Sequence, residues 1–514
     1  MIMLCLIFIA SSEVNAQLTP QSAIKGMMRG INIGNTMEPP EEGTWGNPPV
    51  QEYAFDDYKN AGFTSVRIPI TWDAHTSTTP PYTIDSTWLN RVEQVVDWGL
   101  QRRLFIIINA HHEWWIDTGY NNANNRARFD SIWSQISVRF KDKSDSLLFE
   151  IINEPNGLTQ ANINDLNARI LSIIRKTNPT RIVIFSGNQY ANSGQLVAAK
   201  IPDPNDKYLM GYYHSYDPYP FGLLGPGTYG SAADISATKA KFDQVTNWSI
   251  KNNIPVMLSE FGAQKKCDYN SRMTYYGTIV DQAFKHGVAF MAWDDGGDFP
   301  IYLRTPGGWN EIKDILIYTY TTSPNQFKYS FVDTTLVKLS WNNRTTANDS
   351  IIVDRGIDTA ANLAQFATIG PAATQFMDST VLKGHIYCYR LRTKISDTTI
   401  YSYPIRTDTV GRKGVLITSV EEELNAPSSF MLYQNYPNPF NPATTINYQL
   451  PMNSFVAMKI YDALGREIKT LVSEEQTAGT HSVIFNADGL PSGIYFYKII
   501  AGTITQMRKM ILLK

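Results

Sequence analysis

Two glutamates stand where this sequence can do chemistry. Residues 147–156 read LLFEIINEPN, an apolar run that stops at Asn153, Glu154 and Pro155. Residues 255–262 read PVMLSEFG and stop the same way at Glu260. Short apolar runs of this kind are strands covered on both faces of a parallel sheet. A carboxylate at the C-terminal end of such a strand stands where barrel enzymes keep their reacting groups. One such residue is equally well a solvated strand end. Two in one domain supply what glycoside hydrolysis needs, an acid/base and a nucleophile.

The elements that must position them are set by the periodicity. Strands are expected over residues 30–35, 65–70, 104–111, 148–153, 181–186, 208–214, 256–260 and 288–293. Amphipathic helices are expected between them, such as 88–101 with Leu89, Val92, Val95, Val96 and Leu100 on one face. Eight strands in roughly 290 residues fit an α/β fold of the (β/α)8 TIM-barrel type. A doubly wound open sheet is the alternative, but no Gly-rich phosphate loop comes after the first strand. Each strand end offers a distinct group: Arg67 in SVRIP, His111 and His112 before Glu113, Asn153 with Glu154, His214 and Tyr216 in YYHSY, Glu260, and Trp293 in MAWDD. Singly, each has a packing explanation. Together they would converge on one face of a barrel.

On these motifs the domain resembles glycoside hydrolase family 5, the cellulase family of retaining barrels. LLFEIINEPN, GINIGNTME, VRIP, NAHHE, HSY, SEFG and the tryptophan of the eighth strand carry the resemblance, which spans about residues 28–321. It implies that Glu154 is the general acid/base and Glu260 the nucleophile. It further implies that Asn153 holds the sugar 2-hydroxyl, that Arg67, His111, His214 and Tyr216 line the reacting subsite, and that Trp293 is its stacking floor. Which of His111 and His112 faces the substrate stays open. Arg67 and Tyr216 are expected to hold the Glu260 pKa low, and the charge of Glu260 to push that of Glu154 up. Trp72, Trp114, Trp115 and Trp309 are candidates for further sugar subsites, each equally well a packing residue. No metal and no organic cofactor is implied. The implied substrate is a β-glucan polysaccharide, cut by an endo-β-1,4-glucanase; xyloglucanase and β-mannanase are the alternatives within the family. A barrel that binds carbohydrate without turning it over is the alternative of another class.

At 514 residues the chain exceeds one ordinary core. A net charge of −2 gives no case for nucleic acid or an anionic membrane as partner. Residues 1–10 form an apolar run too short to span a bilayer, and Val14, Asn15 and Ala16 come soon after it, so residues 1–16 read as a signal peptide. Of three cysteines, Cys5 lies in that segment, and Cys267 and Cys388 fall in different expected domains, so no disulfide framework is expected. The catalytic domain is taken as 17–322. Residues 323–408 alternate as short strands and resemble a fibronectin type III β-sandwich, on Trp341, Tyr387, Tyr389 and Leu391; a spacer role is expected of it. Residues 409–428 read as a linker. The stretch 429–514, with YPNPFNP and SGIYFYK, is a second small β-sandwich and resembles the C-terminal sorting domain of the type IX secretion system. That resemblance implies the secretion machinery as partner and a secreted or cell-surface protein, taken to be a monomer.

Overall fold

A computed structural model describes residues 17–513 apart from 345–349, 361, 396, 412–429, 451–453, 477–478 and 503. The expected signal peptide and residues 412–428 of the expected linker lie outside the described residues. The chain divides into two compact units, Met1–Val415 and Leu416–Lys514.

In the first unit, strands β1 (Arg29–Asn32), β2 (Ser65–Ile68), β3 (Phe105–Asn109), β4 (Leu147–Glu150), β5 (Val183–Phe185), β6 (Leu209–His214), β7 (Val256–Phe261) and β8 (Ala289–Ala292) run parallel, each paired with the next. The ladder between β8 and β1 (Gly30 opposite Met291) closes them into a barrel, so the open-sheet alternative is excluded. Helices connect the strands, which makes this the expected (β/α)8 architecture. Alternate strand residues separate two apolar layers, as the period of two requires. Ile107, Leu148, Ile184, Met210, Met257 and Met291 fill the interior. Ile106, Ile108, Phe149, Val183 and Phe185 face the helices. The helix Pro20–Gly26, started by a Thr19 capping box, adds Ala23 and Ile24 to the interior layer.

The same unit continues into two antiparallel sheets. Strands β9 (Asn325–Asp333), β10 (Leu336–Asn342), β11 (Ile351–Ile357), β12 (Ala364–Ile369), β13 (Gln375–Asp378), β14 (Tyr387–Ile395), β15 (Thr398–Tyr401) and β16 (Ile405–Arg406) form sheets of order β13-β10-β9 and β12-β11-β14-β15, with β16 beside β14. Trp341, Tyr387, Tyr389 and Leu391 are buried between them. This module is docked on the barrel through helices Tyr269–His286 and Ile312–Tyr318. Asn270 exchanges two hydrogen bonds with the backbone of Arg406 (2.8 and 2.7 Å). Arg390 pairs with Asp314 at 2.6 Å and Arg344 with Asp281 at 2.8 Å. Gly277 is the close approach: a Cβ there would meet the ring of Tyr403 at 2.7 Å.

The second unit holds a sheet β17-β18-β21 and a sheet β20-β19-β22-β23, from β17 (Met431–Leu432), β18 (Ala443–Leu450), β19 (Ser454–Asp462), β20 (Glu467–Gln476), β21 (Gly479–Asn486), β22 (Gly493–Ala501) and β23 (Ile504–Leu512). Its own core includes Ile446, Tyr448, Met458, Ile460, Tyr497, Ile499 and Leu512. Cys267 and Cys388 are both free and buried.

Candidate active site

The residues at the C-terminal strand ends meet in one cluster. An oxygen of Glu154, an oxygen of Glu260 and a nitrogen of His214 lie within 4.8 Å of one another. Glu260 is the penultimate residue of β7, whereas β4 ends at Glu150 and Glu154 stands four residues beyond it. The backbone of Glu154 takes φ = +41°, a left-handed conformation costly for a residue with a Cβ. Strain of that kind persists where the surrounding structure over-determines it.

Arg67 is the hub. Its side chain has no exposed surface and lies beneath the carboxylates. Nη1 donates to Glu260 Oε1 (2.6 Å) and Asn32 Oδ1 (2.9 Å). Nη2 donates to Glu150 Oε1 (2.6 Å) and Asn153 Oδ1 (2.7 Å), and Nε donates to Glu150 Oε2 (2.8 Å). The expectation that Arg67 lines the subsite is therefore corrected: it carries the residues that do. Asn153, oriented through its Oδ1, stands 3.2 Å from His111 Nε2 with its Nδ2. His111 is buried and held from its other side by Asn109 Nδ2 (3.1 Å). His112 takes φ = +56° and contacts the exposed rings of Trp45 (5.6 Å between centroids) and Trp114 (5.1 Å). His111 is thus buried within the cluster and His112 is half-buried beside it.

Tyr216 donates its hydroxyl to Glu260 Oε2 (2.9 Å). His214 Nδ1 lies 2.8 Å from Glu154 Oε1 and 3.6 Å from Glu260 Oε2. Trp293 comes directly after β8 and lies parallel to His111, with ring centroids 6.2 Å apart. Gly34 makes room for it, since a Cβ there would meet the indole at 2.7 Å.

Electrostatics set the protonation of the pair. Burial raises the Glu154 carboxyl to about 7; Arg67 opposes the rise and the charge of Glu150 adds to it. Desolvation, with Glu150 rather than the expected Glu260 as the adding charge, is thus the source of the rise. Glu260 also sits above the ordinary glutamate value because it is buried, although Arg67 pulls it down through its charge and its hydrogen bond. This corrects the expectation of a low pKa: Arg67 limits a rise rather than producing a net fall. Burial lowers His214 to about 4 and keeps it a neutral imidazole, against the pull of Glu260. A neutral His214 can donate Nδ1–H to Glu154 Oε1, which leaves the second oxygen to carry the acid's proton.

Sequence reading missed Glu150, Asn32 and Asn109, the buried partners of Arg67 and His111. A charged residue inside an apolar strand is seldom unpaired, and Glu150 and Arg67 are both of that kind. Glu38 was also missed; it is buried and accepts the backbone N–H groups of Asn35 and Thr36 (both 2.9 Å), which shapes the loop after β1. Among the tryptophans, Trp114 is 65% exposed and Trp45, not singled out, is 45% exposed. Trp72 is fully buried, Trp115 is tied to Glu113 through its indole N–H (2.6 Å), and Trp309 stacks on Phe63, so these three are packing residues.

Known proteins similar to this chain include cellulases. Residues 24–298 match the model of "Cellulase (glycosyl hydrolase family 5)", and residues 434–513 that of "Secretion system C-terminal sorting domain". Endoglucanase H of Acetivibrio thermocellus is 49% identical over 292 residues, 55% of this chain and 32% of that protein. The chain spans about a third of the length of the first curated relatives it matches. A hyperthermophilic endo-β-1,4-glucanase solved with substrate is 34% identical, with a TM-score of 0.56 over 58% of this chain and 99% of that one. Thermotoga maritima Cel5A solved with mannotriose is 32% identical, with a TM-score of 0.55 over 58% of this chain and 100% of that one. The sorting domain marks a secreted or cell-surface protein, and among the described residues no helix is long and apolar enough to cross a membrane. The matched residues span all eight barrel strands, and the chain belongs to glycosyl hydrolase family 5.

Proposed function

We propose that the protein is a secreted, retaining endo-β-1,4-glucanase that hydrolyses β-glucan chains by double displacement. The observation that carries this reading is the approach of Glu154 and Glu260 within 4.8 Å. Retaining pairs stand about 5–5.5 Å apart, and inverting pairs need about 6.5–9.5 Å to admit a water. Glu260, aligned by Arg67 and Tyr216, attacks the anomeric carbon, while Glu154 gives its proton to the departing glycosidic oxygen. The ester neutralises Glu260. The loss of that charge lowers the Glu154 pKa, so Glu154 then takes a proton from the water that hydrolyses the ester. Asn153 holds the 2-hydroxyl, Trp293 forms the floor, and His111, His112 and His214 complete the subsite. Export through the type IX machinery by residues 429–514, and action as a single chain, belong to the same reading. A β-mannanase activity is the second reading, favoured by the mannotriose held by the 32% identical Cel5A.

Reducing-sugar release from soluble β-glucan, xyloglucan and mannan orders these substrates. Proton NMR of the first product anomer tests retention, with the β-anomer expected. Glu260→Ala should lose turnover and regain part of it with azide, giving an inverted product. Azide rescue of Glu154→Ala with that inverted product, and never of Glu260→Ala, would reverse the roles. Cello-oligosaccharide binding without any release would leave only a carbohydrate-binding protein.

A further inference from the structure

The loop after β1 is tied to the loop after β8 by a side chain that takes part in no catalytic step. Asn47 is buried, and its Nδ2 donates to three backbone carbonyls. Asp295 O (2.8 Å) belongs to the loop after β8, and Gly34 O (3.0 Å) and Asn35 O (3.3 Å) to the start of the loop that Asn47 itself stands in. Three acceptors around one nitrogen fix which end of the amide carries the hydrogens. Gly296 leaves room for the other end, since a Cβ there would meet Asn47 Oδ1 at 2.2 Å. Each loop so joined carries an aromatic ring: Trp293 stands two residues before Asp295, and Trp45 two residues before Asn47.

The two rings are held unequally. Trp293 has supports besides Asn47: Asp294 O accepts the N–H of Gly34 (2.9 Å) and Arg304 Nη2 (3.1 Å), and the side chains of Asp294 and Arg304 form an ion pair. Trp45 depends on the ends of its segment. Gly43 and Gly46 flank it at φ of +95° and +93°, a conformation glycine adopts without steric cost. Thr44 donates its N–H and its hydroxyl to Glu41 O, within the same turn. The segment runs from the Glu42–Arg91 ion pair (2.7 Å) to Asn47, and Asn47 is the end bonded to the loop after β8. We infer that Asn47 is a positioning residue, which holds the Trp45 ring in register with Trp293 so that it can stack on a glucosyl unit beyond the reacting one. The sugar contact rests on the proposed function; the hold on Trp45 does not. Aspartate at this position keeps the shape but turns an oxygen toward three carbonyls, which leaves them unpaired and repels them. The clamp then opens, and Arg304 and Asp294 keep Trp293 where it is.

The test uses the full chain. On long cello-oligosaccharides Asn47→Asp should raise KM about 3–10-fold, as loss of one ring contact does, with kcat little changed. The double variant with Trp45→Ala should have no higher KM than Trp45→Ala alone, because residues that act through one contact are not additive. Fluorine NMR of the chain labelled with 5-fluorotryptophan reads the rings without any substrate, once Trp45→Phe and Trp293→Phe have assigned their resonances. Asn47→Asp should move the Trp45 resonance and leave that of Trp293 in place. An unchanged KM, or rises that multiply in the double variant, overturns the role. A Trp45 resonance left in place, or a Trp293 resonance that moves with it, overturns it as well. Asn47→Ala removes the donor without adding charge and gives the same readings should the aspartate variant not fold. A Trp45 resonance that moves in a protein inactive on all glucans and mannans would instead leave the clamp standing and remove the proposed function.

Discussion

Arg67 shows why single residues decide this site. It is one cation shared by Glu150 and Glu260, with Asn32 and Asn153 filling its remaining donors. Removing one member of a buried ion pair leaves an uncompensated charge and costs about 3–5 kcal/mol. Arg67→Ala should therefore lower unfolding stability by about that amount, read by chemical denaturation, and abolish turnover. Arg67→Lys restores the charge but not the planar fork, so turnover should stay low while much of the stability returns. The same pair shapes the pH profile. Turnover needs Glu154 protonated and Glu260 ionised. The rate should fall as pH rises through about 7, where Glu154 loses its proton. It should fall on the acid side above the ordinary glutamate range, because Glu260 is raised. The dependence of kcat/KM on pH checks both limbs, and Glu154→Gln should lower kcat by about 10²–10⁴ and remove the alkaline limb. Glu154 and Glu260 were legible in the sequence because each ends an apolar run abruptly. The hub beneath them was not, since Asn32 and Asn109 look like ordinary strand residues until the barrel closes and sets them opposite Arg67 and His111.

At the scale of elements, the strands were legible and the loops were not. Period and burial fix a strand that is covered on both faces, and all eight lie where the apolar runs put them. The loop beyond each strand depends on backbone conformations that composition does not encode. Glu154 and His112 adopt positive φ without being glycine, and the loop after β1 is turned by Glu38 accepting its own neighbours' N–H groups. That loop also carries Trp45, which, like Trp114, contacts the ring of His112. Two exposed rings at the edge of a sugar cleft are expected to hold glucosyl units beyond the reacting one. Trp45→Ala and Trp114→Ala should each raise the KM for cello-oligosaccharides about 3–10-fold, as loss of about 0.5–1.5 kcal/mol of ring contact requires, with kcat little changed. Steady-state kinetics on oligosaccharides of increasing length checks this; equal effects on the shortest and longest would remove the assignment.

At the scale of the molecule, the module expected as a spacer is docked on the barrel and is expected to brace it. It grips the helix Tyr269–His286, which joins the strand bearing Glu260 to the strand leading to Trp293. Part-buried hydrogen bonds contribute about 0.5–1.5 kcal/mol each, so Asn270→Ala, which removes two, should cost about 1–3 kcal/mol. Calorimetry should show barrel and module melting in one transition in the unaltered chain, with that transition lowered in the variant. A separate, earlier melting of the module in the unaltered chain would make it a spacer after all. Stability should also depend on pH: Glu38 and Glu113 are raised to about 7 by burial. The folded state then binds more protons than the unfolded one between the two values, so Tm should fall as pH rises from about 5 to 8. The sequestration of Arg67 has one more consequence. Its guanidinium has no face open to bulk water, so the carboxylates it grips are aimed before any sugar arrives. The negative field that welcomes positive charge at the anomeric carbon is therefore standing in advance, and a cationic mimic of the oxocarbenium ion should lock in without the protein changing shape.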